Sequence, residues 1–166
     1  MKKRILALGL VVLAAIALGG CGRQGAANIS SEVAEADPWI EYDSLDEIEE
    51  LTGFEIEYPE KLGDHNKKDI GFYYCESLNE IEIRYGDEKN VDYIRKAKDD
   101  GDISGDYMEY DYTEEADIDG RTVTLKGKSE DSITLATWRE DDIAFCVRVE
   151  DGISRSDMEA AVSAVK

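Results

Sequence analysis

Most of the chain after residue 53 alternates between hydrophobic and polar positions with a period of two, which is typical of half-buried β-strands. Short polar connections, among them Leu78-Asn79, Asp119-Gly120 and Asp141-Asp142, separate the alternating segments. Strands joined by tight turns pair antiparallel, because a parallel pair needs a long crossover. The pattern therefore predicts an antiparallel sheet of about seven short strands, in the segments FEIEYP, DIGFYYCES, EIEIRY, YMEYDY, RTVTLKG, SITLATW and IAFCVRV.

A helical period precedes the strands. In SLDEIEELTG, Ser44 and Glu47 have the spacing of a capping box, and Gly53 is a stop signal. The apolar positions that share one face of this helix are Leu45, Ile48 and Leu51. We therefore predict a short N-terminal helix.

A second helical segment, SRSDMEAAVSAVK, follows the strands, with a capping box at Ser154 and Asp157. Its apolar stripe consists of Met158, Ala161, Val162 and Val165. A third, short helix is predicted in VDYIRKAKDD. Because such stripes must be buried against a sheet, we expect an α+β fold with N- and C-terminal helices packed on one face.

The first residues are typical of a bacterial lipoprotein leader. A positively charged start at residues 2–4 precedes an apolar run at 5–18, which is shorter than the roughly 20 residues of a membrane-spanning helix. The tetrapeptide Leu18-Gly19-Gly20-Cys21 resembles the lipobox, in which the cysteine thiol receives a diacylglycerol. We therefore predict a signal peptide over 1–20 and lipidation of Cys21. The alternatives are an ordinary secretory leader, or an uncleaved anchor, with an incidental cysteine.

The predicted lipidation of Cys21 determines where we expect the protein to lie and how we divide the chain into regions. Residues 21–36 are rich in small and polar types and predict a lipidated, flexible tether. Residues 37–166 then form a single α+β domain. Two or three acyl chains hold a soluble domain firmly at a bilayer, so we expect this domain at the cell membrane, on its extracytoplasmic face.

The charge of the chain limits its partners. Acidic residues number 39 and basic residues 19, for a formal net charge of −20. A field of this sign repels nucleic acid and anionic lipid headgroups, so we expect neither as a partner. It is compatible with divalent cations, a basic envelope protein or a small ligand.

Several blocks resemble an uncharacterised domain family. They are DISGDYMEYDY, VTLKG and ATWREDDIAFCVRV, with GFEIEYPEKL upstream and the closing helix MEAAVSAVK, and they cover most of 40–166. The family occurs in lipoproteins of Gram-positive anaerobes and at the extracytoplasmic ends of membrane-anchored regulatory proteins. The resemblance implies an extracytoplasmic α+β domain with no established activity and no catalytic residues to transfer. Cys146 and Arg148 depart from the expected Tyr and Ser types.

The segment DGDISGDYMEYD has the spacing of an EF-hand-like calcium loop, with Gly105 at the sixth position. Its candidate oxygen ligands are Asp100, Asp102, Ser104, Asp106 and Asp111. Met108 at the ninth position and an Asp rather than Glu at the twelfth weaken the match. The alternative is a solvated turn whose side chains bond the local backbone.

Two further cysteines, Cys75 and Cys146, lie in predicted strands. An oxidising compartment permits a disulfide between them. Buried free thiols are equally typical of strands, so both alternatives stay open.

The sequence favours a binding module over an enzyme. It has one histidine, His65, and contains no G-x-S-x-G elbow, glycine-rich phosphate loop or zinc spacing. We therefore expect a non-enzymatic, membrane-anchored module that binds or senses a ligand or protein, without a cofactor. The alternatives are a calcium-binding surface module and a glycan hydrolase that uses paired carboxylates.

Overall fold

The computed structural model describes residues 38–87, 89–99 and 101–166. Within these ranges the chain forms ten β-strands and two α-helices. In chain order they are β1 (Ile40–Tyr42), α1 (Leu45–Thr52), β2 (Lys61–Leu62), β3 (His65–Asn66), β4 (Ile70–Cys75), β5 (Glu80–Asp87), β6 (Asn90–Ala97), β7 (Tyr112–Ile118), β8 (Arg121–Ser129), β9 (Ser132–Glu140), β10 (Ile143–Ile153) and α2 (Arg155–Ala164).

Eight strands form one antiparallel sheet in the order β1-β4-β5-β6-β10-β9-β8-β7, while β2 and β3 pair separately. Strands β6 and β10 are neighbours in the middle of the sheet, where they join two meanders, β4–β6 and β7–β10. The predicted α+β class is confirmed, with eight strands in the main sheet instead of about seven.

Both helices pack on the same face of the sheet, which we call the helix-covered face. Ile48 of α1 and Met158 and Val162 of α2 belong to one continuous apolar core. The sheet contributes fully buried side chains to this core from alternate positions of its strands, including Ile81, Ile83, Ile94, Val123, Leu125 and Val147. Burial of this apolar area is the main driving force for folding.

The C-terminal helix agrees with the prediction. The Ser154 hydroxyl accepts a hydrogen bond from the backbone N–H of Asp157, as the capping box requires. The predicted apolar stripe, Met158, Ala161, Val162 and Val165, is buried.

The N-terminal helix agrees only in part. Gly53 ends α1 in the left-handed conformation (φ 77°), but the Ser44 side chain makes no capping hydrogen bond. Ile48 is buried, whereas Leu51 is 55% exposed. The reason is the position of α1 over β1, β4 and β5, at the edge of the sheet, where only one side of the helix is covered.

The predicted middle helix was wrong: VDYIRKAKDD supplies β6, which pairs with β5 and β10. The apolar–polar alternation of β6 is hard to recognise because two of its buried positions are occupied by charged residues, Asp92 and Lys96. Asp92 lies on the helix-covered side and accepts the backbone N–H of Glu150 at 2.9 Å. Lys96 donates from Nζ to the Glu55 carbonyl at 2.5 Å, and burial lowers its pKa.

The strand predicted at FEIEYP was also wrong. Residues 54–59 have no regular secondary structure and belong to neither sheet. Glu57 exchanges two backbone hydrogen bonds with Lys166 instead, and Ile56 donates its N–H to the Glu49 carboxylate. The alternation of apolar and acidic residues in this segment therefore reflects the burial of the Ile56 side chain in the core and not pairing in the sheet.

The strand predicted at YMEYDY was displaced. Strand β7 begins at Tyr112, the last residue of that segment. Tyr107 and Met108 are 96% and 66% exposed, because the chain before β7 crosses the sheet as an irregular segment.

The predicted leader, the lipidated Cys21 and the tether lie outside the described residues. Among the residues that are described, no helix is long and apolar enough to cross a membrane.

Candidate functional site

The sheet face opposite the helices carries charged and aromatic side chains across its central strands. Arg84, Tyr93 and Arg148 stand directly opposite one another on β5, β6 and β10. In the next row of the same face, Glu82 and Arg95 are cross-strand partners. Side chains at alternate positions share a face of a sheet, so these two rows form one polar surface.

An irregular segment, residues 101–111, covers part of this surface; we call it the strap, and the face it covers the strap face. Ile103 of the strap packs in a small apolar cluster with Ala97, Leu135, Ala144 and Cys146. Tyr93 donates its hydroxyl to the Ser104 carbonyl at 2.7 Å. The strap is therefore attached to the sheet by apolar and polar contacts.

Side-chain hydrogen bonds give the strap its shape. Asp102 accepts the Ser104 N–H, Ser104 Oγ accepts the Asp106 N–H, and Asp106 accepts the Met108 N–H, at 2.8, 3.2 and 2.8 Å. Asx and Ser turns of this kind satisfy backbone groups without a helix or sheet. The strap thus has a defined conformation although it contains no regular secondary structure.

Gly105 allows the strap to approach the sheet closely. Its φ is 65°, and a Cβ at this position would lie 2.9 Å from Nη1 of Arg95. That same nitrogen donates to the carbonyls of Ile103 and Ser104 at 3.0 and 2.9 Å. A side chain at 105 would therefore interfere with the arginine that holds the strap.

Glu82 connects two of the arginines. One carboxylate oxygen accepts from Arg84 and the other from Arg95, the latter at 2.5 Å. Glu82 is 1% exposed, so removing either arginine would leave one of its buried oxygens without a partner.

Glu80 lies beside Glu82 and Arg95, but its carboxylate has fewer hydrogen-bond partners than that of Glu82. Its Oε1 is 3.5 Å from Nε of Arg95 and has no hydrogen-bond partner among the described residues. Burial raises the pKa of Glu80 to about 7, although the charge of Arg95 opposes the change. Glu80 therefore changes its charge near neutral pH.

Beside the strap the face opens into a groove with a volume of about 470 Å³, which we call the arginine groove. Its lining residues are Glu82, Arg84, Lys89, Val91, Tyr93, Arg95, Arg148 and Glu150. Half of them are cationic, whereas acidic residues outnumber basic ones about two to one in the chain. The groove is therefore a local reversal of the overall charge pattern.

Aromatic rings hold the guanidinium groups in place. The Arg84 carbon Cζ lies 3.9 Å from the ring centre of Tyr73, and that of Arg95 lies 4.4 Å from Tyr93 and 5.0 Å from Trp39. Cation–π contacts of this length fix a guanidinium without using its N–H donors. The arginines are thus positioned while donors remain for a ligand.

The described candidate calcium ligands are engaged with other groups or exposed. Asp100 lies outside the described residues. Asp102 lies 3.7 Å from Nζ of Lys126, Asp106 pairs with Arg148 at 3.0 Å, Ser104 is fully buried and Asp111 is exposed. Among the described residues no three His, Cys, Asp or Glu side chains lie as a metal would require. The calcium loop stays a prediction.

Cys75 and Cys146 are both buried free thiols in this structure, which corresponds to the free-thiol alternative of the two that the sequence left open. Their strands, β4 and β10, are separated by β5 and β6. Neighbouring strands lie about 4.8 Å apart, which places the two Cα atoms well beyond the roughly 7 Å limit for a disulfide. Burial raises the pKa of Cys146, so this thiol stays protonated.

Local sequence patterns did not lead to a prediction of the groove. Alternation in EIEIRY predicts Glu82 at the surface, but its side chain is buried beneath the arginines that it pairs with. An available signal was that three strands carry an arginine on the side away from the apolar core: Arg84, Arg95 and Arg148.

The chain matches no protein-family model, no curated protein and no solved structure. The resemblance to an extracytoplasmic family therefore stays a prediction. Among the described residues, the arginine groove is the feature that most clearly suggests a ligand, because four cationic side chains line it.

Proposed function

We propose that this protein is a membrane-anchored extracytoplasmic lipoprotein whose domain binds a small, negatively charged ligand in the arginine groove. The lipid on Cys21 holds the domain at the cell membrane, and the ligand is taken from outside the cytoplasm. The domain acts as a binding or sensing module without catalysis.

One observation carries the proposal: four cations converge on one groove in a chain of formal charge −20. Folding brings Arg84, Arg95 and Arg148 together from three strands. Lys89 adds a fourth positive charge from the β5–β6 turn. Because the chain as a whole is strongly acidic, a groove lined by four cations is a favourable place for an anion to bind.

The groove offers donors as well as charge. Each guanidinium has five N–H groups, and the hydrogen bonds described for Arg84 and Arg148 use few of them. Planar guanidinium groups bind carboxylate and phosphate oxygens in pairs. The volume of about 470 Å³ is within the range of small-ligand pockets.

Neither alternative function has a comparable observation in its favour within the described residues. The oxygens of Asp102 and Asp106 are occupied by turns and by Lys126 and Arg148. For a glycan hydrolase, the groove offers Glu82, whose two oxygens are already bound by arginines, and Glu150, whose carboxylate is paired with Arg148.

Calorimetric titration tests the proposal, with citrate, inorganic phosphate and neutral glucose as probes at an ionic strength of about 0.15 M, where distant surface charges are screened. We expect citrate or phosphate to bind and glucose not to bind. Lys89→Ala and Arg84→Gln each remove one positive charge from the groove and should weaken anion binding about tenfold, which corresponds to about 1.4 kcal/mol.

Lys128→Ala is the matched control, because Lys128 is exposed on β8 and does not line the groove. It removes the same charge and should leave the affinity within about twofold. The proposal is overturned if neither anion binds, or if Lys128→Ala weakens binding as much as the two groove variants do.

A further inference from the structure

Arg148 in the groove is paired with two carboxylates that differ sharply in burial. Its Nε lies 3.0 Å from Oδ2 of Asp106, whose side chain is 2% exposed. Its Nη1 lies 2.5 Å from Oε2 of Glu150, whose side chain is 50% exposed. One partner is thus inside the protein and the other is at the solvent boundary of the groove.

Asp106 is a permanent partner of Arg148. Burial alone would raise the pKa of Asp106, but hydrogen bonds from the Tyr110 hydroxyl, the Met108 N–H and Arg148 lower it overall. The Tyr110 hydroxyl donates to Oδ2 at 2.6 Å. Removing Asp106 from Arg148 would disturb the strap and leave a buried charge unpaired.

Glu150 has a fixed backbone and a replaceable carboxylate. Its N–H is held by the buried Asp92 carboxylate at 2.9 Å, so the main chain stays in place while the side chain turns away. The only partner described for its carboxylate is Arg148. Half of the Glu150 side chain already contacts water, so its carboxylate can leave Arg148 and be solvated without a desolvation cost.

We propose that Glu150 is a built-in competitor for the ligand: its carboxylate occupies the place on Arg148 that a carboxylate or phosphate oxygen of the ligand takes on binding. This inference rests on the proposed function and names the chemistry of the ligand. Ligand binding then replaces the ion pair between Arg148 and Glu150 with one between Arg148 and the ligand, so Arg148 stays paired throughout.

The opposite side of the groove indicates a second negative charge on the ligand. Arg84 and Arg148 both stand opposite Tyr93, on the strands to either side of it. Two strand spacings, about 10 Å, separate their backbones. A ligand that replaces Glu150 at Arg148 and also reaches Arg84 or Lys89 carries two anionic groups, as a dicarboxylate or a phosphorylated acid does.

Glu150→Gln tests the inference by calorimetry with citrate, which carries several carboxylates. Removing a competing carboxylate should tighten citrate binding about fivefold, the effect of one partly exposed ion pair. A purely structural role for Glu150 predicts weaker or unchanged binding, so the sign of the effect is diagnostic. Phosphate, with one anionic centre, should gain less than citrate.

Glu47→Gln is the control for long-range charge, because it removes the same charge from an exposed position of α1 on the helix-covered face. We expect it to change citrate affinity less than twofold. If Lys89→Ala weakens citrate binding but Glu150→Gln only matches Glu47→Gln, the inference fails while the proposed function stands. If citrate and phosphate bind neither the natural protein nor Glu150→Gln, both fail.

Discussion

The two faces of the central sheet are covered in contrasting ways. On the helix-covered face, α1 and α2 bury a continuous layer of aliphatic and aromatic side chains. On the strap face, an irregular segment is attached through Arg95, Tyr93 and Arg148, with only a small apolar cluster beneath it. Apolar contacts stabilise without direction, whereas each buried polar group requires its own partner. The helix-covered face therefore provides most of the stability, and the strap face fixes one arrangement of charges.

The largest effect is expected from Val162→Asp in α2. Val162 is fully buried in the helix-covered core, where a carboxylate finds no partner. We expect a loss of more than about 4 kcal/mol, a large part of the roughly 5–15 kcal/mol by which a typical domain is stable. Circular dichroism and urea denaturation measure it. Ala160→Asp, at an exposed position of the same helix, is the control and should remain folded; an unchanged melting temperature for Val162→Asp would contradict the packing of α2.

A smaller loss is expected on the strap face from Arg95→Met. The substitution leaves Glu82 with one partner instead of two and removes the donor to the strap carbonyls. Breaking a buried ion pair in this way costs about 3 kcal/mol. Urea denaturation measures the loss, and chymotrypsin should cleave faster after the exposed Tyr107.

Lys126→Met is the control for Arg95→Met. Lys126 is a partly exposed cation of β8 that lies 3.7 Å from Asp102 of the strap. An exposed ion pair contributes less than about 1 kcal/mol. Equal losses in the two variants would show that Arg95 has no special part in holding the strap.

The smallest effect depends on pH and concerns Glu80. Its pKa is raised from 4.5 to about 7 in the folded protein, so folding favours the protonated carboxyl. The stability contributed by protonation is complete below pH 4.5 and is lost as the pH rises through 7. Glu80→Gln should remove this dependence and be the more stable protein at pH 8, by at most about 3 kcal/mol. Parallel stability curves from pH 5 to 8 would contradict the burial of a titrating carboxyl.

The two faces also differ in how well the sequence predicts them. Strands β4, β5, β8, β9 and β10 and helix α2 were predicted because apolar side chains repeat on their helix-covered side and clear turn residues separate them. Strand β6 was missed because Asp92 and Lys96 occupy that same side. Local patterns report burial in an apolar core well, and burial of charged groups poorly.

The arginine groove was beyond local patterns for a second reason. It depends on the pairing of β6 with β10, which are distant in sequence, and on the path of the strap. Nothing in DISGDYMEYDY indicates that Asp106 reaches Arg148, 42 residues away. The candidate calcium loop overlaps the strap over residues 101–111, but the spacing that suggested the loop says nothing about how this segment contacts the sheet.

The burial of Cys146 beneath the strap provides an internal reporter of motion. Its thiol sits in the cluster with Ile103, so an alkylating reagent reaches it only while that contact is broken. Cys75, equally buried on β4 of the same sheet, supplies a reference rate from the same molecule. Mass spectrometry measures the ratio of the two labelling rates. This ratio reports how often the strap moves away from Cys146, and no engineered probe is needed.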